Sequence, residues 1–539
     1  MTHFLLQLSK TYPWFRHIVI VGVVFLFALF IRVYLLSSVP AHLSWDEASI
    51  GYNAYSILET GKDETGKTFP LVFEAFGEQK LPGYIYLSVP FVKLFGLNEL
   101  SVRLPSALFG ALGVIPTYVI TFLLFKNQLV SSLASFFLAI SPWHIQFSRG
   151  AFEANVALTF FLVGISCLLF IGKNGQRRYF LAFFAGMSFV ASVYTYNGFL
   201  LFLPLASILF TAFFLRVRKI PVRVFLIFFL VFWIFSLPLL IQSVQARGGP
   251  RFAQVGIVKR VVWEKEVASY PPILQRREVI VPILFLKNYL SHFSPEFLVM
   301  TGDINLRHGT GKFGVLFLWE GVFALIGLLS LWKKRELFYL FIPWIVLFPV
   351  AASLTKESPH ALRSIMLLPV PQIFAAWGIQ SVDRLISWKK FASILLGILI
   401  GGTFLLFLYE YFVNYPISSS RHWQYGYKDL VTTYANKKES IDKMIVTTEY
   451  AQPYIFFLFY LQYNPSRFQS EAVFTPVNDW GVSKVASFDK LEFRHITYNA
   501  DKHLRNVILV GTPEEIPESI PGHNLYFLNG EVAFRMVKQ

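Results

Sequence analysis

Residues 17–36 read HIVIVGVVFLFALFIRVYLL, an apolar stretch close to the ~20 residues that a helix needs to cross the hydrocarbon core of a bilayer. It resembles a secretory signal only in position, being near full spanning length and followed by no clear small-residue cleavage site, so we read it as a retained first helix. Further apolar spans fall near 105–125, 128–142, 154–171, 179–196, 198–215, 222–243, 313–331, 337–353, 361–380 and 391–412. The expected fold is therefore a polytopic α-helical membrane protein of about 11 transmembrane helices. Composition agrees: 539 residues that are 55% hydrophobic, 18% aromatic and 15% charged exclude a water-soluble globular chain.

The net charge of +16 does not point to nucleic acid, because Lys and Arg sit in short clusters between apolar runs rather than along one face. The lone Cys167 lies inside an apolar run, which excludes an internal disulfide and any CxxC metal or redox site.

The basic clusters also set an orientation. Lys10 and Arg16; Lys126; Lys173, Arg177 and Arg178; Arg216, Arg218, Lys219 and Arg223; Lys333, Lys334 and Arg335; and Arg384, Lys389 and Lys390 all fall on one side of the expected spans. With that side in the cytoplasm, the regions 38–104, 143–153, 244–312 and 354–362 lie outside, as does the C-terminal segment. The expected organisation is a transmembrane domain over 1–412, with outer loops at 38–104 and 244–312, followed by an extracytoplasmic α/β domain over 413–539. In that domain Lys443 to Thr448, Asn506 to Gly511 and Glu531 to Val537 read as strands, and Asn529–Gly530 reads as a hairpin turn. Asp429 and Glu449 read as solvated surface acids.

The first outer loop contains Ser44, Trp45, Asp46 and Glu47, then Ile50, Tyr52, Ala54, Tyr55, Ile57 and Leu58 before Gly61. The apolar residues recur at helical spacing, as expected of a helix lying along the membrane surface. Ser44 and Glu47 fit a capping box, and first-turn carboxylates oppose the helix dipole, which gives a structural account of Glu47; the other reading is that Glu47 supports Asp46 as the second acid of a reactive pair. Asp46 is a site candidate, because an acid held beside an apolar interface has few structural uses.

Later in the same loop come Glu78, Gln79, Lys80, Leu81, Pro82 and Gly83, and then ELSVRLPSALFGALG at 99–113; ISPWHIQFSRGAFEANVALTFF follows at 140–161. The acidic pair, the Lys before Pro and these two segments resemble the dolichyl-phosphate-mannose protein mannosyltransferase family and its bacterial relatives, which transfer sugars including aminoarabinose from polyprenyl-phosphate carriers. The resemblance covers roughly the membrane-embedded half. It implies a GT-C fold and an inverting transferase in which the first-loop acid, Asp46 here, is the base on the acceptor. It also implies that Lys80 meets the donor phosphate.

The chemistry fits that assignment. A hydroxyl is a poor nucleophile, so a carboxylate accepting its proton as the bond to C1 forms lowers the barrier. One carboxylate suffices for a single displacement, whereas retention needs a second one close by as nucleophile. The leaving phosphate calls for cations.

Arg363, at the outer mouth of a span, resembles the family's phosphate-side arginine, and Arg149 is a further donor-phosphate candidate. Glu153 stands where relatives usually carry Asp; its longer arm puts a catalytic role in doubt while leaving sugar or acceptor binding, and it also stands i, i+4 from Arg149. Arg103, Asp303, His308 and His360 are substrate-binding candidates, with interfacial anchoring the plain alternative for Arg103 and ordinary loop residues the plain alternative for the histidines. No metal cluster is evident, and a divalent metal is compatible with the family but not called for by these residues.

The expected function is thus transfer of a sugar from a polyprenyl-phosphate donor to a hydroxyl-bearing glycan, lipid or protein acceptor on the outer face. No P-loop or GxGxxG accompanies the site. The alternative is a transporter or flippase for lipid-linked sugars, against which stand the lack of an obvious inverted repeat and the few ionisable residues deep within spans.

Overall fold

The computed structural model describes residues 13–171, 175–245, 256–257, 270–355, 357–386, 390–476 and 484–539. The chain divides into two compact units. One is drawn from Met1–Tyr34, Ser106–Arg247 and Gln254–Leu408, the other from Leu35–Pro105, Gly248–Ala253 and Tyr409–Gln539.

Among the described residues, eight helices are long and apolar enough to cross a membrane: Phe15–Val33, Glu99–Phe125, Glu153–Phe170, Asn197–Val217, Val222–Gln242, Lys334–Ser353, Ile365–Arg384 and Lys390–Ser418. Two shorter apolar helices, Gln128–Ile140 and Leu318–Ser330, and the helix Arg177–Thr195 fill the remaining expected positions. Every apolar stretch picked out in the sequence thus falls on a helix, and the protein is a multi-pass membrane protein. The helices differ in environment. In an apolar 18-residue stretch of Ile365–Arg384, 78% of residues are buried, against 11% in such a stretch of Lys390–Ser418, which leaves Ile394, Ile398, Leu405 and Leu406 exposed, as a helix bathed in hydrocarbon should.

Lipid provides no hydrophobic drive between helices, so their contacts depend on close backbone approach and satisfied polar groups. Leu318–Ser330 and Val370–Ile386 show both devices. A Cβ placed on Gly327 would sit 1.9 Å from the Phe374 carbonyl oxygen, and one on Gly378 would sit 2.0 Å from that of Phe323. Beside this reciprocal contact the buried Glu320 accepts a 2.6 Å hydrogen bond from Gln372 Nε2 and a 3.3 Å bond from the Phe317 N–H.

The second unit joins the first long loop to the C-terminal segment. Its first helix, α1 (Trp45–Thr60), begins with the expected capping box, Ser44 accepting from the Glu47 N–H and Glu47 from the Ser44 N–H, and ends at Gly61, whose φ of 69° suits glycine. Contrary to the expectation of a helix on the membrane surface, protein covers it. A Cβ on Gly51 would lie 2.5 Å from the Phe459 ring and 2.6 Å from Val102, so the apolar face is buried against α/β-unit side chains.

Strands β1 (Phe73–Ala75) and β2 (Glu78–Lys80) pair in the register Phe73 with Lys80 and Ala75 with Glu78. Phe76 and Gly77 between them both have positive φ, 61° and 71°, the requirement of a two-residue type I′ turn. Helices α2 (Pro82–Phe95) and α3 (Glu99–Leu112) follow.

Among the described residues, the C-terminal domain holds a seven-stranded mixed sheet in the order β4-β5-β6-β3-β7-β9-β8. Its strands are β3 (Lys443–Val446), β4 (Val473–Phe474), β5 (Val485–Phe488), β6 (Leu491–Phe493), β7 (Val507–Gly511), β8 (His523–Tyr526) and β9 (Val532–Lys538). Strands β6, β3 and β7 run parallel and the other pairings are antiparallel. Ile445, Ile496, Leu509, Ile516 and Val537 form part of its core. The three strands read from sequence are β3, β7 and β9, and Gly530, with φ 88°, turns the chain between β8 and β9.

Substituting Gly327→Ala or Gly378→Ala should cost about 2 kcal/mol or more by overpacking the helix crossing, whereas Gly397→Ala, with open space around it, should be neutral. Thermal unfolding of the detergent-purified protein measures this. An unchanged midpoint in both of the first two variants would contradict the crossing.

Candidate functional site

In the second unit the site is built around a buried guanidinium. Arg103 is fully buried and makes five hydrogen bonds: Nε to Glu47 Oε1 (2.9 Å), Nη1 to the carbonyls of Leu36 (3.1 Å) and Pro40 (2.9 Å), and Nη2 to the His42 carbonyl (2.6 Å) and Glu47 Oε2 (3.2 Å). All its N–H donors are thereby taken by protein. Arg103 therefore does not fit the expected substrate-binding role: it gathers the segment 36–47 and fixes the start of α1. Glu47, itself buried and doubly engaged, belongs to the same clamp rather than to a reactive pair.

One residue before Glu47 on α1, Asp46 keeps 45% of its side chain exposed, and its Oδ1 accepts a 2.7 Å hydrogen bond from Lys80 Nζ, whose side chain is 3% exposed. The hairpin puts the lysine there. Lys80 ends β2, and its ammonium lies 5.0 Å from the centre of the Phe76 ring at the turn. That ring in turn meets Tyr454 edge-on at 5.8 Å, an aromatic contact that helps to offset the cost of a non-glycine residue at positive φ. The Trp45 N–H, one of the first-turn donors that a helix cannot satisfy internally, donates to Gln424 Oε1 at 2.9 Å.

A second carboxylate in this unit was not singled out in the sequence. Glu64 is buried, accepting from Tyr454 Oη at 2.9 Å and from Asn53 Nδ2 at 2.8 Å. Burial pushes its carboxyl up to about 7, against the opposing influence of Tyr454, Lys80 and Asn53, with Asp63 adding to the rise. Nearby His42 is lowered to about 4, first by burial, and its Nε2 lies 3.1 Å from Tyr460 Oη. No local sequence signal marks Glu64, because its partner Tyr454 is 390 residues away.

The remaining candidates lie in the helical unit. Arg149 is fully buried and gives Nη1 to the carbonyls of Ile31 (2.6 Å) and Arg32 (3.1 Å), so a phosphate could reach it only if that cover moved. Glu153 is partly buried at the first position of Glu153–Phe170. Arg363 is half-buried and donates from Nη1 to Thr355 Oγ1 at 2.7 Å.

Asp303, His308 and His360 come together, all three buried, with ligand-type atoms within 4.8 Å of one another. Sequence spacing did not bring the three together; the fold does so by placing two separate loops in contact. Burial alone would raise the Asp303 carboxyl, but His308 and the N–H groups of Ala361 and Asn305 hold it below the usual range. Burial, followed by the charges of His308 and Arg363, holds His360 well below the usual imidazole range.

Residues 22–246 match the family model of the dolichyl-phosphate-mannose-protein mannosyltransferases. The matched part includes both segments that carry the resemblance, together with Asp46, Lys80, Arg103, Arg149 and Glu153. The fold is similar to the oligosaccharyltransferase AglB of Archaeoglobus fulgidus, solved in complex with an inhibitory peptide and a dolichol-phosphate: identity is 15%, the TM-score is 0.52, and the match covers 94% of this chain and 70% of that one. It is similar also to ArnT of Cupriavidus metallidurans in the apo state, at 13% identity and TM-score 0.53 over 98% of both chains. The same protein bound to undecaprenyl phosphate matches at 13% identity and TM-score 0.52, over 96% of this chain and 97% of that one. No curated protein matches the chain significantly in sequence. The fold is therefore of the GT-C type, a polytopic helical scaffold with a C-terminal α/β domain, and the resemblance read from residues 99–113 and 140–161 holds.

Two outcomes follow from this geometry. Arg103→Ala strands a buried Glu47 and three carbonyl groups, a loss of about 3–5 kcal/mol, and should sharply reduce the yield of folded protein on size-exclusion chromatography. Glu64 sets a pH dependence. A carboxyl raised in the folded state holds its proton where the unfolded chain has released it, so its contribution to stability is complete below pH 4.5 and is lost as pH rises through about 7. Glu64→Gln should then unfold at a higher temperature than the unmodified protein above pH 7, the difference closing towards pH 4.5. A difference that does not change with pH would contradict the assignment.

Proposed function

We propose that the protein is an inverting glycosyltransferase that moves a sugar from a polyprenyl-phosphate donor to a hydroxyl-bearing acceptor at the outer face of the membrane, with Asp46 as general base. The observation that carries this reading is the Asp46–Lys80 pair: a carboxylate half open to solvent, on the first turn of a capped helix, anchored by a lysine that is itself buried. The family match over residues 22–246 and the fold shared with proteins solved with dolichol-phosphate and undecaprenyl phosphate support a lipid-linked donor.

In the proposed step the acceptor hydroxyl gives its proton to the Asp46 carboxylate as its oxygen bonds to C1 of the sugar. The C1–O bond to phosphate breaks, and its electron pair leaves with the polyprenyl phosphate. Inversion follows from a single displacement needing one base.

Lys80 has two parts in this scheme. Before reaction it orients the carboxylate and offsets its charge. As Asp46 takes the proton, the ammonium loses its anionic partner and its charge becomes available to the phosphate on which charge is developing. The basic clusters support an orientation with the N-terminus in the cytoplasm and the C-terminal domain outside.

Transfer of labelled sugar from a panel of polyprenyl-phosphate sugars, in membranes holding equal amounts of each protein, tests the reading. Asp46→Asn, which keeps shape and removes the base, should lower transfer by about 10²–10⁴-fold with donor binding retained. Equal transfer by both proteins would remove Asp46 as the base.

A further inference from the structure

Asp303 and His308 lie on one loop of the helical unit and His360 on another, and the contacts that unite them are more specific than burial requires. The Asp303 carboxylate is fixed from outside the trio, Oδ1 accepting from the Asn305 N–H at 2.9 Å and Oδ2 from the Ala361 N–H at 2.8 Å. The turn that presents His360 is pinned twice. Trp143 Nε1 donates to the Ala361 carbonyl at 2.9 Å, and the His360 N–H donates to His292 Nε2 at 3.2 Å. These are the outer contacts that a ligand set needs in order to hold its geometry.

Within the trio, Asp303 Oδ2 lies 3.1 Å from His308 Nδ1 and 3.8 Å from His360 Nδ1. Ligand atoms on a tetrahedral ion bound at about 2.0–2.1 Å stand about 3.3 Å apart, between those two values. The His360 Nδ1 is unprotonated where it accepts a long 3.4 Å contact from the Arg363 N–H, and ligation would exchange that weak contact for a bond to the ion. Beside the trio, a partly open cavity of about 10 Å³ is lined by Asp303, His308, Gln146 and Trp143 but not by His360, room for one water-sized particle next to two of the three groups.

We propose that Asp303, His308 and His360 form a binding site for a single divalent transition-metal ion of the zinc class. Two imidazoles and one carboxylate suit such an ion, and three protein ligands leave a position open for an oxygen donor. The ion ties the loop carrying Asp303 to the turn carrying His360 and Arg363. Without an ion, Asp303 is the clasp, bonded to His308 at 3.1 Å and to the turn that carries His360 through the Ala361 N–H at 2.8 Å.

The test uses the full-length protein in detergent, stripped with a chelator and titrated with Zn²⁺, with bound metal counted by mass spectrometry and unfolding followed in parallel. Unmodified protein should bind one ion per chain and unfold at a higher temperature with Zn²⁺ present. Both His308→Ala and His360→Ala should weaken binding at least tenfold, and Asp303→Asn, which keeps the shape and so decides the matter if the alanine variants fold poorly, should do the same. His495→Ala is the control, because Glu449, His495 and Glu515 form another trio able to hold a metal among the described residues. Loss of binding in His495→Ala alone, unchanged binding in Asp303→Asn, or no Zn²⁺ uptake by the unmodified protein would overturn the proposal in favour of the clasp.

Discussion

A guanidinium buried in protein must have every N–H answered, and the α/β unit is arranged around meeting that condition at Arg103. The carbonyls of Leu36, Pro40 and His42 turn inward to accept from it, and Glu47 balances its charge. The helix carrying Glu47 is thereby set at its first turn, and the neighbouring Asp46 is carried to the position where Lys80 meets it. One ion pair enclosed by protein holds the frame and a second, half open, is left where chemistry can occur. The division follows from solvation: removing either partner of the first leaves a buried charge, while the second can exchange its partner as protons move.

Most of the membrane scaffold was legible in the sequence because lipid imposes a one-dimensional rule, and stretches of sufficient apolar length were bound to be helices. The capping box at Ser44 and Glu47, the strands β3, β7 and β9, and the turn at Gly530 are likewise local signals. The strands β4, β5, β6 and β8 were not read from the sequence: β4 and β6, of two and three residues, carry too little alternation to be distinguished from loop, and β5 and β8 lack the apolar run that marks β3. The surface-helix reading of α1 failed for a related reason. Helical spacing shows that a face is apolar but not what covers it, and here side chains such as Phe459 do so.

The candidate residues could be named from the sequence one by one, and their pairings could not. Asp46 was singled out from its place at the head of an apolar-faced helix and Lys80 from the family resemblance, yet nothing in the sequence states that they share a hydrogen bond across 34 positions. The same holds more strongly for Glu64 with Tyr454, and for Asp303 with His360. Arg103 shows the opposite error: an arginine at the head of a span looks available for an anionic substrate until its acceptors are counted.

The central claim is that Asp46 and Lys80 act as one coupled unit, and a double-mutant cycle on sugar transfer with Asp46→Asn, Lys80→Ala and the double variant tests it most directly. If the two residues work through one another, the double variant will be no slower than the slower single variant. Losses that multiply would show two independent contributions and contradict the account.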